Sequence, residues 1–331
     1  MKPSVTLKKI SNMLNISIST VSRALKNHPD ISEATRNKVQ ELAGMLDYVP
    51  NAHAISLRTN NSKEFGIIVP SISSYFYHSF ISSIEEEARR FGYSLVILQS
   101  GEDPKIELEN VIKCKNARLS GIFISITSET EDISELLKLD QQNIPTIFFD
   151  KVPAYEACNK VCTADTGATR LVADLLIKKK KKKILAMFGN QHLSITQVRV
   201  QAFKEFMEQH NWGKKFEIVY AHSPAQASEQ LHLAFQKKNK PDAVFCMSDE
   251  ILTGVMKRVQ MLKIQVPEEL GIIAISDGSV PQLYYPEITY AETSGFKLGK
   301  LAFSRMMTCI AGTPFVQSIV DESVLIFGGS I

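Results

Sequence analysis

The sequence holds few of the features that mark membrane proteins, metalloproteins or common enzyme classes. No apolar run approaches the roughly 18–20 residues of a membrane helix, and Met1 to Ile10 carries no apolar core of a secretory signal. The chain is therefore expected to stay in the cytoplasm, with no membrane partner. Cysteine is sparse: five in 331 residues, at 114, 158, 162, 246 and 309, an odd number. The Cys158 to Cys162 spacing has no second pair or nearby His to complete a zinc cage, so neither a metal nor any other cofactor is expected. Also missing are the glycine-rich dinucleotide and phosphate loops, an H-E-x-x-H pair and a G-x-S-x-G nucleophile elbow. Gly (16) and Pro (13) are too few for collagen or low-complexity disorder.

The chain is about twice an ordinary domain length, so two or three domains are expected. Charge is distributed unevenly along it. The first sixty residues hold eight Lys or Arg against four acids, while the remaining 271 carry 30 basic and 31 acidic residues. All of the net charge of +3 therefore resides in a short basic head on a neutral body, which suggests a polyanion partner.

Within that head, Leu7, Ile10 and Leu14, then Ile16, Val21, Ala24 and Leu25, recur at helical spacing. The pattern breaks at Asn15 to Ser17, where Asn tolerates a left-handed cap and Ser17 can cap the next helix. A third helix is predicted from Ser32 to about Leu46, with Val39, Leu42 and Leu46 inward and Thr35 and Arg36 exposed. Three short helices with excess Lys and Arg fit a helix-turn-helix reader whose second helix enters the major groove. Ile18, Ser19 and Arg23 point away from its apolar stripe, and Thr20 and Ser22 are polar. Arg suits guanine, and the hydroxyls suit phosphates or base edges. Taken alone, Arg23 reads as an ordinary surface charge, and only the surrounding pattern favours DNA.

These residues form specific motifs: V-T-L-x-x-I from Val5, I-S-x-S-T-V-S-R-A-L from Ile16, H-P-D-I-S-x-x-T-R-x-K-V over 28–39 and Y-V-P-N-A-x-A-x-S-L-R over 48–58. With them the head resembles the LacI/GalR family of bacterial transcription regulators. Departures are Ser11, where the family usually has Ala, and Asn15, where Gly is usual. The resemblance implies a DNA-binding head over 1–49, a hinge helix and linker over 50–63, and a two-lobed core for effector binding and dimerisation over 64–331. It also implies DNA contacts from Thr6, Ser17, Ile18, Ser19, Thr20, Ser22 and Arg23. In the hinge, Asn51 can cap a short helix over 52–58 that is too short to hold alone. By resemblance, two such helices pair in the minor groove, with Ala54 and Leu57 as contacts and Leu57 as the wedge between base pairs. The plain alternative is a linker with Leu57 resting on the body.

From Phe65 onward, short apolar runs alternate with amphipathic stretches: 65–69, 93–98, 121–126, 146–149 and 161–164, then 184–188, 217–220, 243–247 and 272–275. That rhythm reads as two α/β lobes with parallel sheets, completed by a segment at 288–292, a helix near 294–311 and a final strand near 324–327. It looks like the periplasmic-binding-protein-like core of the same family. Ligands of open parallel sheets bind beyond the carboxyl ends of the strands. Candidates there are Tyr75 and Phe76 in the first loop, Ser125, Asp150, Arg199 in R-x-x-x-F, Asp249 in S-D-E-I-L-x-G, Asp277, and Glu292, where the family commonly has Gln. Carboxylates, hydroxyls and an aromatic face suit a sugar or sugar derivative. Each has a plainer alternative: a helix cap for Asp249, a solvated helix residue for Arg199, core packing for the aromatics, and a Gly278 turn for Asp277. The first loop, Ser74-Tyr-Phe-Tyr, departs from the family's N-P-F/Y.

The six lysines from Lys178 to Lys183 read as a solvated helix end, with a secondary polyanion contact left open. The resulting expectation is a dimeric repressor on a pseudo-palindromic operator, controlled by a small effector between the lobes. The competing expectation is a sugar- or nucleotide-acting enzyme with an accessory DNA-binding head.

Overall fold

A computed structural model describes residues 5–49, 62–313 and 315–331. The chain divides into two units, Met1–Ser62 and Lys63–Ile331.

In the first unit, three helices α1 (Leu7–Leu14), α2 (Ile18–Leu25) and α3 (Glu33–Met45) surround a core of Ile10, Val21, Ala24, Val39 and Ala43. Local chemistry explains their limits. Thr6, Ser17 and Ser32 each cap a helix by accepting a backbone N–H three residues on, a contribution of about 1 kcal/mol apiece. Asn15 ends α1 at φ 51°, as its side chain allows. Two expectations for α3 need correction. Arg36 and Thr35 are half-buried rather than exposed, because the Arg36 guanidinium turns back to donate to the carbonyl of Ile31 at 3.2 Å, and Thr35 joins the Ser32 cap.

The second unit holds two sheets. Strands β1 (Glu64–Val69), β2 (Ser94–Gln99), β3 (Gly121–Ile124), β4 (Thr146–Phe149) and β5 (Asn159–Thr163) alternate with helices α4 (Tyr75–Arg90), α5 (Pro104–Asn116) and α6 (Ser134–Gln141). After β5 the chain enters a second set: α7 (Asp165–Lys178), β6 (Ile184–Phe188), α8 (Ser194–Gln209), β7 (Phe216–Tyr220), α9 (Pro224–Gln236), β8 (Ala243–Cys246), α10 (Asp249–Leu262), β9 (Gly271–Ser276) and β10 (Thr289–Glu292). Helix α11 (Gly295–Ile310) then returns to pack on α4, and β11 (Ser318–Asp321) and β12 (Leu325–Ile326) finish one sheet each. The orders are β11-β5-β4-β3-β1-β2 and β12-β10-β9-β8-β6-β7. All pairings are parallel except β10 with β12. Burial on both faces accounts for the continuous apolar runs of the central strands.

The chain thus crosses between lobes three times, after β5, β10 and β11. The crossings lie side by side: Ala164 N–H donates to the carbonyl of Asp321 at 3.0 Å and Glu292 N–H to that of Val324 at 2.8 Å. Strand β11 was not expected, and the final strand is shorter than expected. Among the described residues, no helix is long and apolar enough to cross a membrane, and no cluster of potential ligands could hold a metal ion. Expectations for Asn51, Ala54, Leu57 and the hinge helix lie outside the described residues.

Candidate functional site

In the head, the outward face of α2 presents Ile18 (46% exposed), Ser19 and Arg23. Thr20 and Ser22 are half-buried, while Thr6 and Ser17 stand exposed at two helix N-termini. The hydroxyls form a small array, with Ser17 Oγ 2.7 Å from Ser19 Oγ and 2.8 Å from Thr20 Oγ1. Such an edge of donors over positive helix ends suits phosphate oxygens. Among the described residues, the Arg23 guanidinium is held by a loose, exposed contact to Asp30 at 3.9 Å, so little opposes its release towards a base edge.

In the second unit, a cleft of about 340 Å³ opens between the lobes. Its position follows from topology, because β1, β4, β6, β8 and β9 all present their carboxyl ends to it. Five of the expected residues line it: Phe76, Asp150, Arg199, Asp249 and Asp277. Three are placed otherwise. Tyr75 is 40% exposed and is not among the lining residues. Ser125 is fully buried behind Tyr77, whose hydroxyl is 2.9 Å from Ser125 Oγ. Glu292 is paired with Lys297 and is not among the lining residues. Tyr77, on the first turn of α4, lines the cleft beside Phe76 and donates to Asp150 Oδ2 at 2.6 Å. Burial raises both the Tyr77 hydroxyl and the Asp150 carboxyl above their ordinary values.

Arg199 is anchored rather than solvated. Its Nε and Nη2 donate to Asp165 Oδ1 at 2.9 and 2.6 Å, and its Nη1 to the carbonyl of Met247 at 2.6 Å. Asp249 does not act as the helix cap expected of it in the plainer alternative. Ser248 caps α10, and the Asp249 carboxylate accepts from Ser276 Oγ and, at 2.9 Å, from the N–H of Asp277. Asp277 in turn accepts from the N–H of Gly295 at 2.7 Å, tying the end of β9 to the start of α11 in the other lobe. Burial pushes both carboxyls up to about 6. Lys151, Asn190 and His222 also line the cleft, and Asp165 stands behind Arg199. Lys151, His222 and Asp165 were not among the expected residues, although each is the second residue after a strand.

Acceptors outnumber cations here, the cations are engaged by carboxylates, and Phe76, Leu193 and Ile251 supply apolar walls. A neutral ligand rich in hydroxyl donors fits such a lining.

Residues 6–51 match the model of bacterial regulatory proteins of the lacI family, and residues 62–323 match that of periplasmic binding proteins and the sugar-binding domain of the LacI family. The HTH-type transcriptional repressor PurR of Vibrio vulnificus is 25% identical, with 91% of each chain covered. The Lac repressor dimer bound to operator and the anti-inducer ONPF superposes with a TM-score of 0.86 at 19% identity, covering 99% of both chains. A periplasmic binding protein/LacI transcriptional regulator of Alkaliphilus metalliredigens complexed with D-xylulofuranose gives 0.70 at 21% identity, covering 81% of this chain and 98% of that one.

Proposed function

The chain belongs to the LacI family of DNA-binding transcription regulators and not to an enzyme family, and from that premise we propose that it represses transcription as a dimer on a pseudo-palindromic operator. Occupancy of the cleft by a sugar or sugar derivative sets its affinity for that operator. The enzyme alternative is set aside by the family match over both units.

One observation carries the effector reading: Asp277 belongs to the cleft and also to a hydrogen bond between the lobes, through Gly295 N–H. A ligand that draws on Asp249 or Asp277 therefore acts on the contact that positions one lobe against the other. The hydroxyl-matching lining and the D-xylulofuranose held by a protein of this fold support a sugar. A coupling of about 1–3 kcal/mol between cleft and operator suffices for regulation.

In the head, Thr6, Ser17, Ile18, Ser19, Thr20, Ser22 and Arg23 meet the duplex. Asn51, Ala54 and Leu57 complete the contact on the strength of the sequence motif alone. A pair of heads related by a twofold axis reads two half-sites, which a single short helix cannot do. The test is a thermal-shift screen of the full chain against monosaccharides and disaccharides, followed by operator titration with each hit. A hit that shifts the melting temperature and changes operator affinity supports the reading, and binding without any change in affinity refutes it.

A further inference from the structure

The pole of the second lobe opposite the cleft carries a second concavity, of about 250 Å³. It forms where β8, β6 and β7, adjacent in the sheet, begin side by side. Each is entered by a lysine-bearing connection: Lys182 and Lys183 before β6, Lys214 and Lys215 before β7, and Lys237 before β8. All five line the concavity, with Glu217 as the one acidic lining residue, giving a local net charge of +4.

The acidic groups nearby are already engaged. Lys237 Nζ lies 2.7 and 2.8 Å from the two Glu217 oxygens, so this pair cancels. Asp242 turns both carboxylate oxygens to the backbone N–H groups of Lys182 and Lys183, at 2.8 and 2.9 Å. Asp242 thereby fixes the loop without meeting the ammonium groups. Lys183 Nζ lies 3.4 Å from the neutral Asn239 amide oxygen, and among the described residues Lys182, Lys214 and Lys215 take part in no ion pair. Further out, Lys178 is taken up by Asp174 and Lys179 by the carbonyl oxygen of Ile331. The run that read as a solvated helix end is therefore split. Its first residues do end α7, and its last two face lysines brought in from other elements.

We propose that this concavity is an anion site for a small ligand carrying two or three linked phosphates. Lys offers three donors and no acceptor, so four uncancelled lysines around one hollow demand a partner made of acceptors. A hollow lined by one sign of charge concentrates its field inward and draws multivalent anions. Its concave shape and small volume fit an oligophosphate, whereas a duplex presents a convex row of phosphates. The site lies at the amino ends of the strands, apart from the cleft, and does not depend on the effector reading.

The test uses inorganic tripolyphosphate and the full chain, with binding followed by calorimetry. Wild type should bind one equivalent, with affinity falling as salt is raised. Combined Lys182→Gln, Lys183→Gln, Lys214→Gln and Lys215→Gln should weaken binding at least about tenfold. Glu217→Gln, which releases Lys237, should tighten it, and Asp249→Ala should leave it unchanged. No binding by wild type, or equal binding by the four-lysine variant, overturns the proposal. Loss of random-duplex binding in that variant with tripolyphosphate binding unaltered would make the surface a nucleic-acid contact, and would overturn it equally.

Discussion

Two nitrogens of Arg199 converge on a single oxygen of Asp165, at 2.9 and 2.6 Å, with both side chains largely out of solvent. Asp165 is the first residue of α7 after the chain leaves β5, and Arg199 lies on α8, so the pair fixes the point where the second lobe begins. Removing one partner strands a buried charge. Arg199→Ala is expected to destabilise the core by about 3–5 kcal/mol in urea denaturation, and Asp165→Ala by a similar amount. The double variant should lose less than the sum of the two. Strictly additive losses would show that the pair does not act as a unit.

The cleft carboxyls predict an unusual pH response. Asp249 and Asp277 stand at about 6 in the folded protein, against an ordinary value of 3.8. The folded state therefore binds these protons more tightly than the unfolded chain does. Below 3.8 neither group imposes a penalty; as pH rises through 6 both ionise in a buried setting and stability falls. Asp249→Asn removes one of these penalties. The variant should melt above wild type at about pH 7.5, and the difference should fade towards about pH 4. A difference independent of pH would assign the stabilisation to something other than ionisation.

Phe76 and Tyr75 are neighbours with opposite expectations. Phe76 lines the cleft and Tyr75 does not. Phe76→Ala should weaken binding of a sugar hit, while Tyr75→Ala should leave it within about twofold. Tyr77→Phe deprives Asp150 and Ser125 of a shared hydroxyl and should cost about 1–3 kcal/mol of stability. Equal losses of sugar affinity from Tyr75→Ala and Phe76→Ala would contradict the geometry.

In the head, Arg23→Ala should weaken specific operator binding by about 1–3 kcal/mol and relax the choice at one base pair. Asp30→Ala removes two exposed contacts, to Arg23 at 3.9 Å and to His28 Nδ1 at 3.3 Å, and should change head stability by no more than about 0.5 kcal/mol. An equal loss on operator and random duplex for Arg23→Ala would reduce Arg23 to a phosphate contact.

The head was legible because its signals are local: a hydroxyl stands before each helix, and an Asn able to take positive φ ends α1. The central strands were legible because burial on both faces leaves unbroken apolar runs. Strand β11 was not, since Ser318 to Asp321 lies at a sheet edge with alternating exposure and reads as a polar loop. Arg36 looked exposed because nothing in helical spacing foretells a guanidinium reaching back to Ile31. In the cleft, strand ends located Asp150, Asp249 and Asp277. Spacing could not say that Phe76 and Tyr77 line the cleft and Tyr75 does not, because that depends on where α4 starts. Asp165 acts on the cleft through Arg199, a partner 34 residues away that no local pattern connects to it.

The account turns on control of the DNA grip by the cleft, and fluorescence anisotropy measures it most directly. A labelled duplex selected from a random pool is titrated with the full chain, alone and with a sugar shown to bind. The predicted result is preference for a pseudo-palindrome and a shift in its apparent Kd of about 5- to 150-fold when the sugar is added, abolished by Asp249→Ala. Affinity that stays the same with the cleft filled, or no preference over a scrambled duplex, would contradict it.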